Sequence, residues 1–305
     1  MIPKIAMLFI EEQIIGLHQK PIGANVILES VALQNQQKNL IELRLDELFK
    51  SGEHNIRTFP VIFAIPVSFW EDTIAYIKSH HYFNLQQDML FFVEEPEFPT
   101  CNASGHFQLA STHKFIQTCS AGGTHVIEQI IRSGYLSKLI SLKVEWLMVS
   151  NYTNIGAKIE QSIATRLVST SYDIVAEVVR LEQFPDLNTV VIDVPFSPKR
   201  TPVLCHKIRL THEKSKIYLN NAIYGAIGTY WIRLKSLAKC YDLSYAELLK
   251  NARSEDWKDR IKHKSDILLR IDEDSYVLNS PLSILSYDLK MLPLEVSSSR
   301  YHLIN

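Results

Sequence analysis

The sequence predicts an α/β fold, with a mixed, mainly parallel sheet in the first half of the chain and extra β-structure added later. Three observations lead there. The runs Lys4–Ile10 (KIAMLFI) and Phe59–Ile65 (FPVIFAI) are continuously apolar, as strands covered on both faces are. Such runs alternate with segments whose apolar residues recur at helical spacing. The 305 residues are 46% hydrophobic and 21% charged, enough apolar matter for a sizeable core, which excludes disorder.

The elements follow in order. After Lys4–Ile10, Asn39–Lys50 is predicted as a helix, with Leu40, Leu43, Leu45 and Leu48 near helical spacing. Phe59–Ile65 is the second strand. Ser68 and Glu71 spell a capping box before the stripe Trp70, Ile74 and Ile77. Met89–Val93 reads as a strand, Val126–Ser133 as a helix and Val144–Ser150 as a strand, and Ile159, Ile163 and Leu167 mark the next helix face. Tyr172–Leu181, Thr189–Val194, Val203–Arg209 and Lys216–Tyr224 are predicted as a run of strands. Trp231, Leu234 and Leu237 mark another helix, and Ser244 with Glu247 caps one more. The strands at 4–10, 59–65, 89–93 and 144–150 are expected in one sheet. The ends of the first and fourth should flank a common cleft, because ligands of open α/β sheets sit outside the carboxyl ends of strands. With no repeat and no linker, residues 1–305 read as a single domain, a doubly wound core at 1–170 with added strands and helices at 171–305.

Composition removes several function classes. The formal net charge is −1, so no overall basic field calls for nucleic acid or anionic lipid. Only 10 glycines are present, and neither GxGxxG nor GxxxxGK[ST] can be written from them. Cys101, Cys119, Cys205 and Cys240 form no CxxC and read as reduced core thiols, which suggests a cytoplasmic protein. His80 and His81 are adjacent, poor geometry for sharing a metal. The apolar run Ile5–Ile10 is too short for a signal or a membrane span and ends at Glu11-Glu12.

Six segments, in the right order along almost the whole chain, resemble the UDP-sugar pyrophosphorylases, the UTP:hexose-1-phosphate uridylyltransferases. FPVIFAIPVSFWEDTIAYIKSHHYFNL (59–85) resembles a strand–helix unit ending in "H.YFGL", and MLFFVEEPEFP (89–99) resembles "FF.Q..LP". GGTHVIEQIIRSG (122–134) is similar to "GHGDIY…SG". VEWLMVSNYTNIGA (144–157) is close to "EYLFVSNSDNLGA", the strongest single match. IYLNNAIYGAIGTYWIRLKSL (217–237) resembles "FNTNNLWVNLKAL", and PLEVSSSRYHLIN (293–305) resembles "…VPRSRFLPVK". The resemblance implies a Rossmann-like nucleotidyltransferase (GT-A-like) fold. It also implies a chain that stops before the family's carboxy-terminal β-helix domain.

The family's reaction is attack of a sugar-1-phosphate on the α-phosphate of UTP, which needs phosphates held in line and their charge neutralised. The signature loop "LAGGQGTRLG…PKG" falls on residues 9–23, where Glu11, Glu12, Ile14 and His18 replace its glycines. Glycine lets backbone approach phosphate, whereas a carboxylate repels it by about 1 kcal/mol at 4 Å in water. The lysine of "PKG" falls on Ile22, with Lys20 two residues earlier as a substitute. The Mg²⁺-binding aspartate falls on Thr153, and the terminal lysine of "PVK" on Asn305. Ligand-facing positions fall on Gly122, His125 (in place of aspartate), Asn154, Asn220 (near the sugar) and Glu94 (in place of glutamine). No metal site and no cofactor are expected, Mg²⁺ entering only for an active enzyme. Scaffold positions persist while phosphate and metal handling is lost.

That selective loss implies a pseudoenzyme with a binding or regulatory role, weak UDP-sugar binding, and a protein partner or homo-oligomer. One alternative is an active, divergent uridylyltransferase using Lys20, His125 and Asn220 in altered roles. The other is an interaction subunit with no ligand.

Overall fold

A computed structural model describes residues 3–10, 27–28, 30–33, 36–50, 60–99, 118–120, 123–193, 202–210, 213–244, 246, 248, 268–270, 276–278 and 289–300. The chain opens with β1 (Ile5–Ile10), the short pair β2 (Val31–Leu33) and β3 (Gln36–Lys38), and α1 (Leu40–Lys50). Next come β4 (Val61–Pro66), α2 (Trp70–Ser79), β5 (Leu90–Glu95), and the pair β6 (Glu97–Pro99) and β7 (Thr118–Ser120). Helices α3 (Gly123–Arg132) and α4 (Tyr135–Ser141) lead to β8 (Trp146–Asn151), then α5 (Gln161–Ser169) and β9 (Ile174–Arg180). The remainder is β10 (Thr189–Ile192), β11 (Val203–His206), α6 (Glu213–Asn221), β12 (Tyr224–Arg233) and α7 (Leu234–Cys240). The last strands are β13 (Leu268–Arg270), β14 (Tyr276–Leu278) and β15 (Met291–Glu295).

β5, β4, β1 and β8 lie side by side, all parallel. These are the four strands expected in one sheet. Antiparallel β12 joins β8 to β9, and β15 adds to β9 in parallel, so β9 and β15 run in the same direction as β1 and β8. The β10–β11 pair extends the sheet from the start of β12. Both faces are covered, as unbroken apolar strands require. Ala6, Leu8 and Ile10 enter a core with α3, α4 and α7. Ile5, Met7 and Phe9 enter a second core with α1, α2 and α5.

Four expectations about elements need correction. Lys216–Tyr224 is not a strand; α6 occupies most of it, because Tyr218, Leu219 and Ala222 pack on one cluster at helical spacing while Ile217 is exposed. Trp231 lies in β12 rather than on a helix, since the strand, held between β8 and β9, continues to Arg233 before α7 begins. Val203–Arg209 pairs only as far as His206, and a 3₁₀ turn follows at Lys207–Leu210. Ser68 does not cap α2; the N-cap is Phe69 without a side-chain bond, because a 3₁₀ turn at Val67–Phe69 delays the helix. A capping box does open α1: Glu42 N–H donates to Asn39 Oδ1 (3.0 Å), and Asn39 N–H donates to Glu42 Oε2 (2.9 Å). Near 244, the Leu248 N–H donates to the Ser244 carbonyl at 3.0 Å, and Glu247 lies outside the described residues.

After α2 the chain takes four successive left-handed residues, His81–Asn84, with φ between 51° and 59°. Asn84 stands where the resembling motif has glycine, and asparagine tolerates this conformation better than most residues. His80 stacks on Phe83 at 5.5 Å, with its Nδ1 2.9 Å from the Tyr76 carbonyl.

Candidate functional site

The parallel strands bring their carboxyl ends to one side of the sheet, where open α/β folds place ligands. Ile10, the last residue of β1, is in register with Asn151, the last of β8, and the Tyr152 N–H donates to the Ile10 carbonyl at 3.0 Å. The ends of the first and fourth strands are therefore neighbours up to Ile10. Glu11, Lys20, Ile22, Gly122 and Asn305 lie outside the described residues.

Thr153, half-buried, sits in the turn that follows β8. The turn is pinned on both sides. Tyr152 is buried against Phe9 (5.8 Å between ring centroids), and its hydroxyl donates to the Ala64 carbonyl of β4 at 3.1 Å. Asn154 is fully buried, and its Nδ2 donates to the Ile227 carbonyl at 3.2 Å, with Thr229 Oγ1 at 3.5 Å. Those partners lie at a bulge: Ala226 pairs with Val178 but Tyr230 pairs with Ala176, and Gly228 takes φ +75° between them. A bulge takes backbone groups out of the ladder, and the Asn154 amide satisfies one of them. Beneath the turn, buried Arg44 of α1 donates through Nη1 to the Asn154 carbonyl and through Nη2 to Ser150 Oγ (3.3 Å), its guanidinium 4.8 Å over Phe9.

The next stretch of the loop is held from the other end of the chain. Glu177 of β9, fully buried, receives Arg300 twice, Nε at 2.6 Å on Oε2 and Nη2 at 2.6 Å on Oε1. The Trp231 indole N–H donates to the same carboxylate at 2.9 Å. Arg300 also donates to the Lys158 carbonyl (2.9 Å) and pairs with Glu160 (2.9 Å). Burial works against its charge, but the Glu177 and Glu160 carboxylates together outweigh that and raise its pKa.

On the far side of the rim, Glu97 Oε2 accepts from the Ser68 N–H at 2.9 Å, tying the ends of β4 and β5 together. Ser120 is in register with Glu97, so α3, starting at Gly123, begins near this rim with half-buried His125 in its first turn. Glu94 is exposed on β5. Asn220, by contrast, is exposed in the last turn of α6, on the separate cluster around β10 and β11. At the ends of β9 and β15, Arg180 and Tyr224 donate to Glu295, each at 3.0 Å. Tyr224 first, then Arg180, lowers the Glu295 pKa.

The clamp made by Glu177, Trp231 and Arg300 was not anticipated; Trp231 and Arg300 lie in segments that resemble family motifs, but nothing in their spacing joins them to Glu177. Among the described residues no group of three or more His, Cys, Asp or Glu could hold a metal ion, and no helix is long and apolar enough to cross a membrane.

The model of the UTP–glucose-1-phosphate uridylyltransferase family matches residues 27–189. Among solved structures, a UDP-glucose pyrophosphorylase from Leishmania major (a point mutant in complex with UDP-glucose) superposes with TM-score 0.67 at 14% identity, over 99% of this chain and 63% of that one. A UDP-glucose phosphorylase from Trypanosoma brucei gives TM-score 0.66 at 14% identity, over 99% and 65%. An Entamoeba histolytica chain assigned as a UDP-N-acetylglucosamine pyrophosphorylase gives 0.59 at 14%, over 96% and 74%. The chain thus spans just under two thirds of the length of the first two, and at such identity the likeness speaks for the fold. With more than half of the sequence matched by the family model, the chain belongs to the UTP–glucose-1-phosphate uridylyltransferase family.

Proposed function

We propose that the chain keeps the uridylyltransferase fold as a binding body for UDP-sugars and has lost uridylyl transfer itself. One observation carries this reading: Thr153, in the place of the family's metal-binding aspartate, stands in the turn at the end of β8. Beside it in sequence stand the amides Asn151 and Asn154, and Asn154 donates to the Ile227 carbonyl at the β12 bulge. Mg²⁺ prefers carboxylate and phosphate oxygens in octahedral array, so a hydroxyl with amides is a poor set for it. Thr153 with these amides does not fit Mg²⁺.

The sugar side is re-registered by the same reasoning. Counted back without a gap from Trp231, the resembling motif "NTNN" falls on Ala226–Thr229 of β12, not on Asn220. Of these four only Thr229 carries a polar side chain, and it faces Asn154. Structures of family relatives contain UDP-glucose, which supports a UDP-sugar as the ligand. Isothermal calorimetry tests the reading. UDP-glucose should bind weakly and Mg²⁺–UTP should give no heat of binding. Micromolar binding of Mg²⁺–UTP would overturn it, and silence with both ligands would favour an interaction subunit instead.

A further inference from the structure

The buried carboxylate Glu177 has no part in the binding just proposed, yet it joins three distant pieces of chain. It lies in the middle of β9, takes the guanidinium fork of Arg300, and accepts from Trp231 of β12. Arg300 in turn reaches Lys158 and Glu160, on the stretch that follows Thr153 and Gly156. Contact between the two segments is close: a Cβ on Gly156 would lie 2.7 Å from the Arg300 carbonyl oxygen and 2.7 Å from that of Ser299. β15 already pairs with β9 beside it, Leu294 in register with Glu177, and the fork extends that tie beyond the strand to Arg300.

We propose that Glu177 is a positioning residue, strapping residues 298–300 onto the loop after β8, so that the rim next to Thr153 and the segment beyond β15 open and close as one unit. The reason is geometric. Bidentate pairing fixes direction as well as distance, and an arginine committed to one buried carboxylate has no second arrangement of equal quality. The glycine at 156 lets the strap lie flush. Lifting the strap therefore removes the Lys158 and Glu160 contacts at the same moment, and the loop carrying Thr153 loses its outer support. This coupling holds whether or not a UDP-sugar binds.

Hydrogen exchange followed by mass spectrometry on the full chain tests it. In Glu177→Gln, exchange should rise about tenfold or more in both 156–160 and 297–300, while β1 and β4 keep wild-type protection. Gly156→Ala approaches the same contact from the other side without touching the buried charge, and should loosen the same two segments. The double variant should be no looser than the worse single one, because either change alone frees the strap. Arg300→Lys keeps the charge but loses the fork, and should also release both segments. Loosening of only one segment, additive effects in the double variant, or wild-type protection in Arg300→Lys would each overturn the proposal.

Discussion

Asn154→Ala is the substitution with the most legible cost. The wild-type amide is fully buried and donates to the Ile227 carbonyl at the β12 bulge. Truncation leaves that carbonyl without this donor at a place water does not reach, which costs about 1–3 kcal/mol, and the vacated side-chain volume adds about 1 kcal/mol. The sum is about 2–4 kcal/mol. With an unfolding entropy of about 2.1 cal/mol/K per residue over 305 residues, Tm should fall by about 3–6 °C. Differential scanning calorimetry without ligand is the assay, with Asn154→Asp as companion, since an ionised carboxylate cannot donate and would bring a buried charge. A drop of less than about 1 °C for Asn154→Ala would show that the bulge finds another donor and that Asn154 is not the keystone of the strand-end turn.

Other outcomes follow from the same contacts. Trp231→Phe removes a donor from buried Glu177 and should cost about 1–3 kcal/mol, read as a lower urea midpoint with unchanged slope. Glu295 has a pKa lowered in the folded chain, so its contribution to stability is present at neutral pH and is lost as pH falls through that lowered pKa. Glu295→Gln should therefore flatten the acid side of a Tm–pH profile, and an unchanged profile would count against the pair with Tyr224 and Arg180. Thr153→Asp alone should not restore pyrophosphate release, because groups that act together are not regained singly.

The sheet was legible because β1, β4 and β8 are buried along their whole length, so their apolar runs go unbroken up to the strand ends, and β5 is apolar from Leu90 to Val93 before the exposed Glu94. Where one face meets water, the pattern was ambiguous. In α6 the exposed Ile217 filled out an apparent strand, although Tyr218, Leu219 and Ala222 already had helical spacing. Asn39-x-x-Glu42 and Ser68-x-x-Glu71 are equally good capping boxes on paper. Only the first forms, because a 3₁₀ turn at Val67–Phe69 makes Phe69 the N-cap of α2, while the Ser68 N–H donates to Glu97. The position of Thr153 and Asn154 after the fourth strand followed from motif spacing alone, since "SNSDNLGA" aligns without a gap, and both lie in the turn after β8. For Asn220 the resemblance needed a gap before Trp231, and that stretch is mostly β12, which runs from Tyr224 to Arg233. Glu177 and Arg300 are joined only by tertiary packing, and no periodicity reports such a pair.

Turnover is the direct test of lost uridylyl transfer. The full chain, incubated with UTP, Mg²⁺ and glucose-1-phosphate or N-acetylglucosamine-1-phosphate, should release pyrophosphate no faster than the enzyme-free mixture. Pyrophosphate release above that background, abolished by Lys20→Ala, would contradict the loss and identify an active, divergent uridylyltransferase.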